Sequence, residues 1–173
     1  MLNILRRQSP DARLARTLYE EINAAARRPV FFQALGVDDT VDGRFDVLAL
    51  HAWLALGRLN AAGMGAVARK LTDTIFTGFD EALRDLGNGD MGMGPRMKKL
   101  GLAFNGRMHA YEAAKSEGEL AEAILRNVYR GRKDMARNAK ILARYALSAR
   151  ESLKLSNPAN GTLDFGTLNP TSA

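Results

Sequence analysis

Cysteine is absent from all 173 residues. Disulfide frameworks, thiolate zinc sites, iron–sulfur clusters and cysteine nucleophiles are excluded together, and a reducing compartment fits. Long apolar runs are also missing. The longest, from Phe45 to Leu59, is broken by Asp46, His51 and Arg58 and falls short of the ~20 residues that span a bilayer. The opening, Met1-Leu2-Asn3-Ile4-Leu5-Arg6-Arg7, carries no secretory signal pattern. Strand-like alternation is nearly absent, and only two histidines and 7% aromatic residues are present. What remains is ordinary globular composition, 46% apolar and 25% charged, in a chain long enough for one domain that buries roughly 70% of its unfolded surface.

Helical periodicity fills most of that chain. Ser9-Pro10-Asp11 supplies a cap, a proline at the first helical position and an acid in the first turn. Leu14, Leu18 and Ile22 then recur every four residues until Arg28-Pro29, where proline disfavours α geometry in the residue before it. A short segment with Phe31, Phe32 and Leu35 follows, and residues 37–43 read as an acidic loop. From Phe45 to Asn60 the pattern is apolar on nearly every side, as expected of a central, buried helix. Val67, Leu71, Ile75, Phe79 and Leu83 mark the next helix, ending near Gly87.

Residues 87–95 form a glycine-rich connection without the spacing of a phosphate-binding loop. Pro95 then opens a helix with Met97, Leu100, Phe104, Met108 and Tyr111 on one face. Ser116-Glu117-Gly118-Glu119 matches a capping box for another helix. The last helix runs from about Arg132 to Leu155. The expected fold is all-α: one compact domain of about six helices over residues 1–155, with a flexible tail over 156–173, where Asn-Pro occurs twice.

The net charge of +6 is unevenly spread. Residues 126–155 carry nine basic and two acidic groups, whereas residues 29–125 are mildly acidic. Arg126, Arg130, Arg132, Lys133, Arg137, Lys140 and Arg144 therefore define a basic face. Such a face either solvates the protein or attracts phosphate, anionic headgroups or an acidic protein. Tyr129 and Tyr145 are the only aromatics interleaved there, and no helix-turn-helix spacing occurs, which argues against sequence-specific DNA recognition. Structured RNA, which is read by charge and shape, stays open, as does a general adaptor for RNA or anionic membrane.

Catalytic signatures are sparse. His109 and Glu112 share a helix face, but no second such pair completes a bundle metal site, and no GxSxG occurs. No cofactor, metal or catalytic residue is expected. His51, on an apolar helix, reads as a hydrogen-bonded structural histidine. Met91, Met93, Met97 and Met108 cluster around the glycine-rich connection, and methionine serves both as core filler and on adaptable binding surfaces.

Several spaced blocks carry a resemblance. Ala26-Arg27-Arg28-Pro29-Val30-Phe31-Phe32, residues 35–46 from Leu35-Gly36-Val37 to Arg44-Phe45-Asp46, and Leu50-His51 form the first. Residues 79–87, Gly89-Asp90, Arg96-Met97-Lys98, Phe104-Asn105-Gly106-Arg107 and Tyr111 form the second. Together, over about residues 11–150, they resemble the ubiquinol–cytochrome c chaperone family, the assembly factors of the cytochrome bc1 complex. The resemblance implies an all-helical, non-catalytic chaperone. Its mitochondrial relatives work with a second assembly factor at the ribosomal tunnel exit and receive newly made cytochrome b. The long N-terminal extension of those relatives has no counterpart here, so the expectation is a bacterial version acting in the cytoplasm, peripheral to the inner face of the membrane. Client- or partner-surface candidates on the matching motifs are Phe31, Phe32, Asp39, Asp42, Arg44, His51, Arg84, Asp90, Met91, Met93, Arg96, Lys98 and Arg107. The regions 44–51 and 91–98 are expected to adjoin and face the client.

Overall fold

In the computed structural model, which describes residues 9–85 and 93–171, helices account for nearly all regular structure and no strand occurs among the described residues. Six long helices, α1 (Pro10–Ala26), α3 (Val41–Ala61), α4 (Gly65–Asp85), α5 (Met93–Ala113), α6 (Glu117–Asn127) and α7 (Ala136–Leu155), are joined by a single turn, α2 (Val30–Gln33). Short 3-10 turns at Lys133–Met135 and Pro158–Asn160 lead into and out of α7.

The helix ends follow their local chemistry. Ser9 accepts from the Ala12 N–H at 3.2 Å, with Pro10 at the first position. Ser116 accepts from the Glu119 N–H at 3.2 Å, and the Glu119 carboxylate reaches back to the Lys115 N–H at 2.6 Å, one residue before the cap. Gly63, at φ 71°, terminates α3 in the left-handed conformation that glycine tolerates.

The helix with apolar residues all round is the one at the centre. α3 packs against α1, α4, α5 and α7, and every residue from Phe45 to Ala55 is buried. Around it Leu18 and Ile22 of α1, Leu71 and Ile75 of α4, Phe104 and Tyr111 of α5, Ile124 of α6 and Leu142 of α7 complete the core. Gly78 lets α4 approach α1 closely, since a Cβ there would sit 2.0 Å from the Tyr19 hydroxyl.

The stretch from Ser156 departs from the flexible tail that its Asn-Pro turns suggest. Leu163 and Phe165 are buried to 4% exposure, and Leu168 packs partly against the core. Two apolar side chains spaced by two residues anchor an extended segment, a pattern too short for periodicity to reveal.

Candidate functional site

Around the start of α3 the chain builds a groove. Thr40 caps the helix by accepting from the Gly43 N–H at 3.2 Å. The preceding loop folds so tightly over this turn that a Cβ on Gly43 would lie 1.9 Å from the Asp38 carbonyl oxygen. The fold of the loop brings Asp39 within 2.7 Å of Arg44. Behind it, Phe45 stacks obliquely on Phe79 at 5.1 Å, and Phe79, Phe76 and Phe104 continue the row. A groove of about 410 Å³ opens here between α1, α3, α4 and α5. Its lining is largely apolar, with Tyr19, Val41, Phe45, Leu48, Phe79, Leu83 and Leu100, and Arg27, Asp42, Arg44 and Asp85 lie at the same site.

Beneath the groove, Asp46 has no exposed surface. Arg107 meets one of its oxygens at 2.5 Å and Arg130 the other at 2.6 Å. Burial pushes the Asp46 carboxyl up, and the two guanidinium groups pull it back towards the charged form. Arg130 reaches this position from a left-handed backbone, φ 56°, rare for a residue with a side chain. The Arg107 guanidinium also lies over the Phe45 ring at 4.8 Å. Tyr111, whose buried hydroxyl has no hydrogen-bond partner among the described residues, is pushed up by burial.

A second polar chain crosses the core on the other side of α3. Arg28 donates to the Tyr145 hydroxyl, and that hydroxyl lies 2.8 Å from His51 Nε2. His51 Nδ1 lies 2.8 Å from the Val47 carbonyl. A carbonyl only accepts, so Nδ1 carries the proton and Nε2 accepts from Tyr145. Burial holds the His51 imidazolium form down, to a pKa of about 4, and pushes Tyr145 up to about 12. Phe31 and Phe165 close on His51 edge-on at 5.3 and 5.0 Å.

These placements sort the candidate residues. Phe31 and His51, expected on a client surface, are wholly buried and pack against each other; they organise the core instead. The structural-histidine reading of His51 is the one its hydrogen bonds bear out. Arg107 is mostly enclosed by its pairing with Asp46. Phe32 is half-buried beneath Arg44, whose guanidinium lies 5.8 Å over its ring. Asp39, Asp42, Arg44 and Arg84 are exposed, with Arg84 paired to Asp80 at 2.9 Å. Arg96 and Lys98 are exposed on α5. Asp90, Met91 and the Met93 side chain lie outside the described residues. Arg44, Phe45 and Leu48 line the groove together with Leu100 of α5, two residues beyond the 91–98 region expected to adjoin them, while His51 faces the opposite side of α3.

The basic face divides in the same way. Arg130 is committed to Asp46, Arg132 to Asp38 at 3.3 Å and Arg144 to Glu117 at 2.8 Å. Arg126, Lys133, Arg137 and Lys140 are exposed on α6, α7 and the turn between them. No three His, Asp or Glu side chains gather as metal ligands among the described residues; Glu112 instead accepts from Trp53 Nε1 at 3.0 Å. Among the described residues no helix is long and apolar enough to cross a membrane. Composition and periodicity did not pair Asp46 with Arg107 and Arg130. The signal was there in two polar residues set in an otherwise apolar helix, since each needs a buried partner.

The bundle wraps round one apolar helix whose few polar groups are internally matched, with an apolar groove at that helix's start. The ubiquinol–cytochrome C chaperone family model matches residues 33–159, and the chain is a member of that family. Among solved structures it is similar to the Cbp3 homolog from Brucella abortus. The two are 34% identical and superpose with a TM-score of 0.78 over 94% of this chain and 93% of that one. No curated protein matches the chain.

Proposed function

We propose that the chain is a non-catalytic assembly chaperone of the cytochrome bc1 complex that receives newly made cytochrome b in the groove between α1, α3, α4 and α5. The observation that carries this reading is the groove itself. It offers a family member an apolar floor of Phe45, Phe79 and Leu100 with charged side chains beside it. An unfinished membrane subunit exposes apolar segments that water does not tolerate, and a binder shields them by offering such a surface. The charged neighbours Arg27, Asp42, Arg44 and Asp85 set hydrated groups beside that apolar floor.

The exposed cations Arg126, Lys133, Arg137 and Lys140 supply the flank that faces a ribosome or an anionic membrane surface. On this reading the chain works in the cytoplasm at the inner face of the membrane, with a second assembly factor as a further partner. Deleting the gene and measuring bc1 levels together with cytochrome b haem tests it. Loss of both is expected; unchanged levels overturn the reading. The same four cations favour a second reading, a general adaptor for RNA or anionic membrane. In that case partner binding falls in proportion to log salt and is insensitive to substitutions in the groove.

A further inference from the structure

The segment after α7 runs back across the bundle as a strap. Gly161, at φ 78°, turns it beside α1, where a Cβ would lie 2.9 Å from Thr17 Cγ2. Leu163 and Phe165 then point inwards between the exposed Thr162, Asp164 and Thr167, the alternation of extended chain. Gly166, at φ 64°, turns it again, and its carbonyl accepts from Arg28 Nη1 at 2.8 Å. Among the described residues no backbone–backbone hydrogen bond joins residues 162–168 to the helices. Side chains hold the strap.

The floor beneath it is self-sufficient. His51 finds its partners in Val47 and Tyr145, and Arg28 reaches Tyr145 as well as the strap. Lifting the strap leaves the His51 ring with both hydrogen bonds and frees one Arg28 donor at the rim. Phe31, His51 and Tyr145 thus form an aromatic trough with a cation aimed at a backbone carbonyl. The chemistry of its occupant is written in the strap: an extended chain, two apolar side chains two positions apart, and a carbonyl just beyond the second. Folded proteins bury such segments, whereas an incompletely folded apolar polypeptide displays them.

We propose that this trough is a second client-binding surface, filled by the chain's own residues 162–168 at rest and yielded to an extended apolar segment of the client. It rests on the chaperone reading above, with the strap acting as a competitor that keeps the trough covered until a client arrives. Displacement exchanges one set of apolar contacts for another, so the client's gain is the difference between the two segments.

A reversible lock tests this in the full chain. A Cβ on Gly166 would lie 3.8 Å from Ser152 Cβ, the usual separation across a disulfide. The strain a side chain meets at φ 64° is the same in the oxidised and reduced variant, so comparing the two isolates the lock, and the protein has no other cysteine to interfere. In the Ser152→Cys/Gly166→Cys variant, a photoreactive residue at Leu14, beside the Gly161 turn where the strap begins, is crosslinked to nascent cytochrome b made in vitro. A parallel variant carries the photoreactive residue at Leu100. The expected result is a tenfold or greater drop in Leu14 crosslinks on oxidation, restored by reductant, with Leu100 crosslinks unchanged. Full-chain Phe165→Ala, which loosens the strap without cysteines, is expected to raise Leu14 crosslinks at least threefold. Leu14 yields that ignore both the lock and Phe165→Ala overturn the proposal while Leu100 crosslinks persist. Crosslinks from Leu14 to a second copy of the chain in place of client overturn it in favour of strap exchange. Loss of crosslinks at both positions in the reduced protein overturns the chaperone reading itself.

Discussion

The Tyr145 hydroxyl lies 2.8 Å from His51 Nε2, and this contact ties the last helix to the central one by a hydrogen bond with no exposed surface on the histidine. It requires a neutral ring, because Nδ1 already donates to the Val47 carbonyl.

Acid should therefore weaken the fold through this residue. The folded-state pKa of His51 is lowered to about 4 from an ordinary 6.5. Between those values the unfolded chain binds a proton that the folded chain does not. The histidine's contribution is complete above pH 6.5 and is lost as pH falls towards 4, by about 3 kcal/mol in all. Urea unfolding at pH 7 and pH 5 is expected to show this slope, and His51→Gln is expected to flatten it.

The ion-pair cluster gives a ranked prediction. Asp46 is fully buried, the Arg107 side chain is 14% exposed and that of Arg130 is 45% exposed. Removing Arg107 strands a buried carboxylate beside the half-solvated Arg130, so Arg107→Ala should cost about 3 kcal/mol or more. Arg130→Ala should cost about 1 kcal/mol, because its partner keeps Arg107 and its own charge is half-screened. Denaturant midpoints of the two variants check the order.

Gly43 should accept no side chain. Its would-be Cβ overlaps the Asp38 carbonyl, a backbone atom that cannot rotate away. Gly43→Ala is expected to destabilise the domain by about 2 kcal/mol or more and to loosen the Thr40 cap. Calorimetry reads the loss as a lower Tm, and unchanged melting would contradict the loop geometry.

How much of this could be read beforehand depends on whether the information was local. Ser9-Pro10 and the Ser116 capping box announced their helices because a cap is complete within four residues. The apolar run from Phe45 announced a central helix for the same reason. The burial of Phe31 and His51 is not legible in the motifs they belong to, because motif membership says nothing about which side of a helix meets the core. Their partners, Tyr145 and Phe165, lie about a hundred residues away. The strap leaves little trace in the sequence because Leu163 and Phe165 are only two apolar side chains among turn-forming residues. The basic face was legible as a charge excess, but not the pairing of Arg130, Arg132 and Arg144, which depends on distant acids.

The remaining cations should govern salt-sensitive contacts. Lys133→Glu, Arg137→Glu and Lys140→Glu together are expected to lower association with ribosomes or anionic vesicles at least tenfold at low salt, with a shallower dependence on log salt. Sedimentation at two salt concentrations measures both. Equal association of the variant and the parent chain would separate this face from any polyanion.

The groove at the start of α3 is the surface proposed to hold unfinished cytochrome b. Photoreactive residues placed at Val41 and Leu100, which line it, and at Lys133 and Arg137 on the basic flank compare the two surfaces during cytochrome b synthesis. Crosslinks to the nascent chain are expected from Val41 and Leu100 and none from Lys133 or Arg137. Crosslinks from the basic flank with none from the groove would exclude the groove as the client site.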